Sequence, residues 1–274
     1  MKQTLIEEDF SYFKKFLKEY SGYHLTESKK YLLESRLKPL LDGHKFVDYT
    51  NIVNQVRMNP KSDIALQVIE QMTINETFFF RDETPFKVFQ EKSFPLIQEW
   101  AKTRKIKIWS AACSTGQEPY SIAMLLEKKF GFNEQVQYEI HASDISHEVI
   151  QRAKEGIYTT LEVTRGLSEE FRNKFFTEIS RNKWEIKDYL KTHIDYFQQN
   201  LCDDRDNFKG PYDIVFLRNV LIYFDQDTKN KVLQKIAKTM NSDGFLFLGT
   251  SENIYDTKSD FIRDSSMTGV YRKK

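Results

Sequence analysis

Residues 105–130 read KIKIWSAACSTGQEPYSIAMLLEKKF. KIKIW is a short strand candidate, SAACSTGQE a turn of small residues, and PYSIAMLLEKKF a helix. Pro119 stands in its first turn, where a missing N–H costs nothing. Strand, tight turn and helix in this order open an α/β unit, and such turns bring backbone close to a bound nucleotide. Gly116 is the turn's only glycine, so the G-x-G-x-x-G of dinucleotide enzymes is missing, as is a Walker lysine. A diphosphate is disfavoured, whereas an adenosine without phosphates asks less of the turn. Taken alone, the turn is either a nucleotide site or a tight connection.

Downstream the pattern repeats. VQYEIHASD (136–144) reads as a strand and SHEVIQRAKEG (146–156) as a helix. YDIVFLRNVLIYF (212–224) and GFLFLGTSEN (244–253) are strand-like, with the helix QDTKNKVLQKIAKTM (226–240) between them. Strands alternating with helices argue for a doubly wound α/β sheet. Asp144 closes the second strand, 28 residues after Gly116. A carboxylate there accepts from two ribose hydroxyls at once; the alternative is a helix N-cap, for which Ser146 or Asp144 could serve. Arg218 and Asn219 interrupt an apolar run at the expected C-terminal end of a strand, the edge at which α/β sheets bind ligands. Residues 156–200 break the alternation. SEEFRNKFF reads as helix, and RNKWEIKDYL and KTHIDYFQQNL as a pair of strands, so an inserted β-subdomain is expected.

Upstream, residues 5–70 carry helical periodicity without strand-like alternation. EEDFSYFKKFLKEY stops at Gly22, TESKKYLLESRLKPLL starts at Thr26 and ends before Gly43 with a kink or break at Pro39, and KFVDYTNIVNQVRM and SDIALQVIEQM add two helices, the last capped by Ser62 or Asp63. The expected division is a helical domain over 1–72, a linker over 73–90 and a sheet domain over 91–274 with its insertion at 156–200. TINETFFFRDE (73–83) lies in that linker, and its three adjacent phenylalanines follow neither strand nor helix spacing.

Composition narrows the function classes. A net charge of +1 offers no global field for nucleic acid or an acidic membrane. Residues 10–45 are locally basic, with eight Lys/Arg against four Asp/Glu. Cys113 and Cys202 lie far apart without metal-ligand spacing, so no disulfide framework or metal is expected, in keeping with a reducing cytoplasm. MKQTLIEEDF has no apolar signal core, and no run approaches 18 apolar residues, so neither secretion nor membrane insertion is expected.

TINETFFFRDE, WSAACSTGQEPYSIAMLL, ASDIS, IVFLRNVLIYFD and GFLFLGTSEN, in this order and spacing, closely resemble the CheR family. SRLKPLLDGHKFVDYTNIV resembles the family's helical domain. These enzymes are S-adenosylmethionine-dependent methyltransferases that esterify glutamates of bacterial chemotaxis receptors. The resemblance implies a Rossmann-like class I methyltransferase domain with a small inserted β-subdomain, preceded by an all-α domain. The Pro-Pro-aromatic tetrapeptide of nucleic-acid amino-methylating enzymes is absent, which counts against a base as substrate.

By similarity, Asn75, Thr77 and Arg81 line the cofactor and methyl-transfer site. Glu118 and Asp144 contact the amino acid and ribose parts of the cofactor. Asn200 and Leu201 frame the adenine, and Asn219 and Val220 close the site. Arg81 and Tyr223 are the candidate catalytic side chains, and one ring of Phe78–Phe80 is expected near the sulfonium. Gln117 stands where the family commonly has a second acid, and Cys113 where Ala or Gly is common; burial as a small packing residue is the expectation for that thiol. The implied partner is the helical cytoplasmic bundle of methyl-accepting receptors, reached in the cytoplasm at membrane receptor arrays. Lys29, Lys30, Arg36 and Lys38 are candidates for meeting its acidic surface. Part of the family docks a receptor C-terminal peptide on a glycine-containing turn of the insertion. Gly156 and Gly166 precede the expected hairpin here, so recognition without that tether is expected. The rival readings are a cofactor-binding sensor without transfer, and a methyltransferase for another protein or a small carboxylic acid.

Overall fold

The computed structural model describes residues 4–42, 46–131, 136–203, 209–264 and 269–274. They form two units, one from the described residues of 1–74, 200–204 and 223–229, the other from 75–199, 205–222 and 230–274.

The first unit holds α1 (Glu7–Ser21), α2 (Lys30–Asp42), α3 (Tyr49–Met58) and α4 (Asp63–Met72). Its core joins Phe10, Phe13 and Leu17 of α1 to Leu33, Leu37, Ile52, Val56 and Val68. Left-handed Gly22 ends α1 as expected. Asp48 caps α3 by accepting from Asn51 N at 2.8 Å, and Ser62 caps α4 by accepting from Ala65 N at 3.3 Å. Thr26 does not cap α2: a short 3₁₀ turn, Glu27–Lys29, comes first, and the Thr26 hydroxyl meets that of Ser28 at 3.0 Å. Pro39 does not end α2, which runs on to Asp42 because Leu40 and Leu41 are buried in its last turn. The expected stop at Gly43 lies outside the described residues.

The second unit begins with three helical segments in series, α5 (Thr84–Val88), a π-turn over Phe89–Ser93, and α6 (Phe94–Trp100). Then follow β1 (Ile106–Ala111), α7 (Gln117–Phe130), β2 (Tyr138–Asp144), α8 (His147–Glu155), β3 (Ile157–Thr159), α9 (Thr160–Thr164), α10 (Glu169–Phe175), β4 (Phe176–Ser180), β5 (Lys183–Ile186), α11 (Asp188–Lys191), β6 (Ile194–Gln198), β7 (Tyr212–Leu217), α12 (Gln226–Lys238), β8 (Met240–Leu248), β9 (Phe261–Arg263) and β10 (Val270–Lys273). Among the described residues, seven strands form one sheet in the order β6-β2-β1-β7-β8-β10-β9. The first five run parallel, and β10 pairs antiparallel with β8 and β9. Strand order reverses at β1, between β2 and β7, which is the switch point at which such sheets open a binding crevice.

The expected pairing of 183–186 with 194–198 is overturned. β5 pairs with β3 and β4 in a separate three-stranded antiparallel sheet, while β6 joins the main sheet beside β2. Ile194 and Tyr196 are buried along one face of β6. Alternation announces that face but not which strand lies beside it. The apolar run after Arg218 also differs from expectation: β7 stops at Leu217, and Leu221–Tyr223 form a 3₁₀ turn.

The three adjacent phenylalanines part company because the chain turns sharply at Phe80, Asp82 and Glu83, all with positive φ. Phe79 is fully buried, edge-on to Tyr158 at 5.1 Å and Phe176 at 5.4 Å. Phe80 packs edge-on against Phe86 and Phe171, both at 5.3 Å. Phe78 lies beneath the Arg165 guanidinium, 4.1 Å from its ring centre. The insertion closes on this segment through Gly166, where a Cβ would come within 1.9 Å of the Phe79 carbonyl oxygen and φ is +89°. Only glycine permits that approach.

Candidate functional site

At the C-terminal ends of β1, β2, β7 and β8 the chain leaves the sheet through short loops, and four of them carry the polar groups of the site. The turn after β1 takes left-handed conformations at Ala112, Ser114 and Gly116. Two of these are not glycine, a strain that persists only where surroundings hold it. Ser114 shows what holds it. Its N–H donates to Asp144 Oδ2 at 2.9 Å, and its hydroxyl donates to the Asn75 carbonyl at 3.0 Å. The other Asp144 oxygen accepts from Ser146 N at 3.1 Å, while the Ser146 hydroxyl caps α8. Asp144 is thus buried and oriented by backbone donors from two loops.

A second carboxylate anchors the other side of the turn. Glu118, in the first turn of α7, accepts from the Ser110 hydroxyl at 2.7 Å and from Arg218 Nη1 at 2.9 Å. Arg218, just past the end of β7, is buried and spends its other terminal nitrogen on Asp82 Oδ2, at 3.0 Å, and on the Arg81 carbonyl. Its guanidinium carbon lies 5.1 Å from the centre of the Phe86 ring. The Phe80 N–H donates to the Ser121 hydroxyl at 3.0 Å, which in turn donates to the Gln117 carbonyl at 2.7 Å. Through these contacts the 75–83 segment is fastened to the start of α7 at two points. The Arg81 side chain is half-buried and donates to the Glu76 carbonyl. Thr77 is half-buried in the same segment, and Asn75 is exposed.

The loop after β7 is held by a different group. Asn219 is left-handed and, like Val220, half-buried. Glu252, after β8, accepts from Asn219 N at 2.7 Å, Val220 N at 3.0 Å, Leu221 N at 2.8 Å and Gly249 N at 2.9 Å. Burial pushes its carboxyl up from the ordinary value, against the pull of these four donors. Cys113 is fully buried, and burial first, then the Asp144 and Glu118 carboxylates, drive its thiol well above the usual range. It is a packing residue, not a nucleophile.

Of the remaining expected site residues, Asn200, Leu201 and Tyr223 belong to the first unit. Asn200 Nδ2 donates to the Tyr20 carbonyl at 2.6 Å, Leu201 is buried, and the Tyr223 ring stacks on Tyr23 at 5.8 Å. The basic residues of α2 and the turn before it are not one open patch. Arg36 donates to the Met72 and Thr73 carbonyls, at 2.7 and 3.1 Å, closing the end of α4. Lys30 pairs with Glu7, Lys29 is half-buried and Lys38 is exposed. Sequence reasoning assigned no role to Ser110, Ser114, Asp82 or Glu252 and noted Arg218 only as half of a polar pair. The one available signal for Glu252 was its place in GTSEN directly after a buried strand.

Among the described residues, no group of three or more His, Cys, Asp or Glu side chains is placed to hold a metal. No helix among them is long and apolar enough to cross a membrane.

Residues 8–73 match the CheR methyltransferase all-alpha domain, and residues 75–270 the CheR methyltransferase SAM binding domain. A chemotaxis protein methyltransferase of Vibrio parahaemolyticus is 38% identical over 255 residues, 92% of this chain and 91% of the relative. Chemotaxis protein methyltransferase 1 of Vibrio cholerae is 39% identical over the same shares. Its namesake in Pseudomonas aeruginosa is 33% identical over 270 residues, 97% of this chain and 98% of the relative. With an all-α region ahead of a Rossmann-like sheet and polar groups gathered at its switch point, the chain belongs to the CheR family of S-adenosylmethionine-dependent chemotaxis protein methyltransferases.

Proposed function

We propose that this enzyme methylates glutamate side-chain carboxylates of methyl-accepting chemotaxis receptors, yielding glutamate methyl esters and S-adenosylhomocysteine for chemotactic adaptation. The observation that carries the reading is the tie, through the buried Arg218 guanidinium, between Glu118 at the start of α7 and the backbone of Arg81. A residue assigned to the methyl donor is thereby coupled to one assigned to the methyl acceptor.

The residues fit the cofactor. Asp144, the buried carboxylate that ends β2, accepts from the two ribose hydroxyls, and Glu118 presents a carboxylate to the amino acid portion. Asn75, Thr77, Asn219 and Val220 line the remainder, with Asn200 and Leu201 at the adenine. S-adenosylmethionine supplies a methyl group made electrophilic by its sulfonium. The receptor glutamate needs no general base, because its reference pKa of about 4.3 leaves it ionised near pH 7. A carboxylate oxygen forms the new bond to the methyl carbon as the bond to sulfur breaks, and no proton moves. The protein's work is orientation and exclusion of water from the nucleophile. Arg81 steers one carboxylate oxygen and leaves the other to attack, since a bidentate clamp would blunt both. Tyr223 adds a single hydrogen bond.

The acceptor is a cytoplasmic helical bundle at membrane receptor arrays. Lys29 and Lys38 lead the basic surface that meets it, with Lys30 available if its pairing to Glu7 opens. Docking does not require a receptor C-terminal peptide, so truncating that tail leaves methylation intact. The test is to incubate the protein with methyl-labelled cofactor and receptor-containing membranes, then treat the product with mild alkali. Release of label as methanol supports a carboxyl ester. Alkali-stable label points to N-methylation, and no incorporation points to a sensor without transfer.

A further inference from the structure

We infer that Glu252 is a positioning residue for methyl transfer, its carboxylate setting the conformation of the loop after β7 that faces the cofactor. The inference rests on the proposed reading that Asn219 and Val220 line that site.

Three consecutive N–H groups, those of Asn219, Val220 and Leu221, converge on one carboxylate. Successive N–H groups turn inward together only when the backbone leaves the extended form, and the left-handed Asn219, with φ of 58°, supplies that turn. The arrangement meets a need of the loop itself. Leu221–Tyr223 begin a helical turn, and the first N–H groups of any such turn lack partners within it. A capping side chain on the preceding residues ordinarily answers this; here the acceptor comes from more than 30 residues away in sequence. Glu252 is itself buried, a costly place for a carboxylate that the four donors, Gly249 included, offset.

The fit is close enough to dictate a second residue. A Cβ on Gly249 would lie 2.8 Å from Glu252 Oε2 and 3.0 Å from Asn219 Nδ2. Glycine at that point lets the end of β8, the carboxylate and Asn219 pack together. The loop therefore has little freedom while Glu252 is in place, and its half-buried face is presented in one conformation. A group that did no more than staple the ends of β7 and β8 would affect stability without selectively affecting cofactor affinity, and that difference is measurable.

Glu252→Gln keeps the shape but puts an amide nitrogen, a donor, against two N–H groups. Calorimetry with S-adenosylhomocysteine is expected to show affinity weakened about tenfold or more. The amide proton resonances of residues 219–221 should move. Val270→Ala, a core change in β10 chosen to lower the melting temperature comparably, should leave affinity unchanged. Asn219→Ala should also weaken binding, and combining it with Glu252→Gln should cost less than the sum. If Glu252→Gln does not fold, Gly249→Ala, which presses on the same carboxylate, should reproduce the loss. Unchanged affinity in Glu252→Gln, with weakened binding in Asn219→Ala, overturns the role of Glu252 alone. Unchanged affinity in both overturns the assignment of the loop to the cofactor site and this inference with it. An equal loss in Val270→Ala reduces Glu252 to a structural staple.

Discussion

Arg218 Nη1 lies 2.9 Å from Glu118 Oε2, and both side chains are buried where β7 ends and α7 begins. Because the same guanidinium holds Asp82 and the Arg81 carbonyl, the pair fixes more than one loop. Arg218→Ala strands a buried carboxylate, and a loss of about 3–5 kcal/mol in unfolding free energy is expected from denaturant titration. Arg218→Lys keeps the charge but not the planar fork that serves three acceptors. It should recover part of the stability while kcat stays depressed. Full recovery of kcat by lysine would show that charge alone is what the site needs.

Asp144→Asn tests the ribose assignment. One carboxylate oxygen becomes an amide nitrogen, which must face either the Ser114 or the Ser146 N–H. Losing a charge-assisted acceptor costs about 1.5–3 kcal/mol, which is about ten- to a hundredfold in affinity for S-adenosylhomocysteine. Calorimetry reads this directly. Affinity within twofold or so of the parent would remove Asp144 from the cofactor site.

Gly166→Ala tests the attachment of the insertion. The new Cβ would sit 1.9 Å from the Phe79 carbonyl oxygen at a φ of +89°, so the insertion must move away or the 78–80 turn must yield. A loss of about 2–4 kcal/mol is expected, beyond the ordinary strain of a left-handed alanine because backbone is in the way. Protease cleavage within 157–191 should accelerate in parallel.

Much of the fold was legible because its signals are local. Gly22 and Ser62 mark element ends through bonds made within a few residues, and Pro119 marks the first turn of α7 by the N–H it lacks. Asp48, by contrast, caps α3 but fell inside a run read as helix from Lys45. Asp144 could be placed because it ends a strand at a known distance from the turn. β6 was misassigned because a short alternating run shows a buried face without naming its neighbour. The 73–83 segment resisted both periodicities because three of its residues are left-handed, and only its tertiary partners, Ser121, Arg218 and Gly166, account for that shape. Glu252 and the Glu118–Arg218 pair were not legible for the same reason. Their partners lie 31–33 and 100 residues away, where no spacing rule reaches. Arg36 was read as a surface charge, although its bonds close the end of α4.

The Lys18–Asp225 pair in the first unit sets an acid limit. Burial opposes ionisation of Asp225, but Lys18 at 2.5 Å and the Thr228 N–H at 3.0 Å outweigh it and hold the carboxyl down at about 2. A lowered carboxyl contributes stability above its unfolded value, near 3.9, and loses it as pH falls toward 2. Half-exposed Lys18 is screened by solvent, so the contribution at pH 7 is about 1 kcal/mol. Asp225→Asn should cost that much in urea unfolding at pH 7 and almost nothing at pH 2. An unchanged difference at both pH values would assign the effect to helix capping by the side chain instead.

The central claim is the identity of the methylated atom. Tandem mass spectrometry of a receptor cytoplasmic fragment, incubated with the protein and S-adenosylmethionine, locates the added mass of one methylene. The expected result is a modification confined to glutamate side chains, removed by mild alkali, and strongly reduced with the Asp144→Asn protein. Methylation on lysine, arginine or histidine, or glutamate esters formed equally well by Asp144→Asn, would contradict the account.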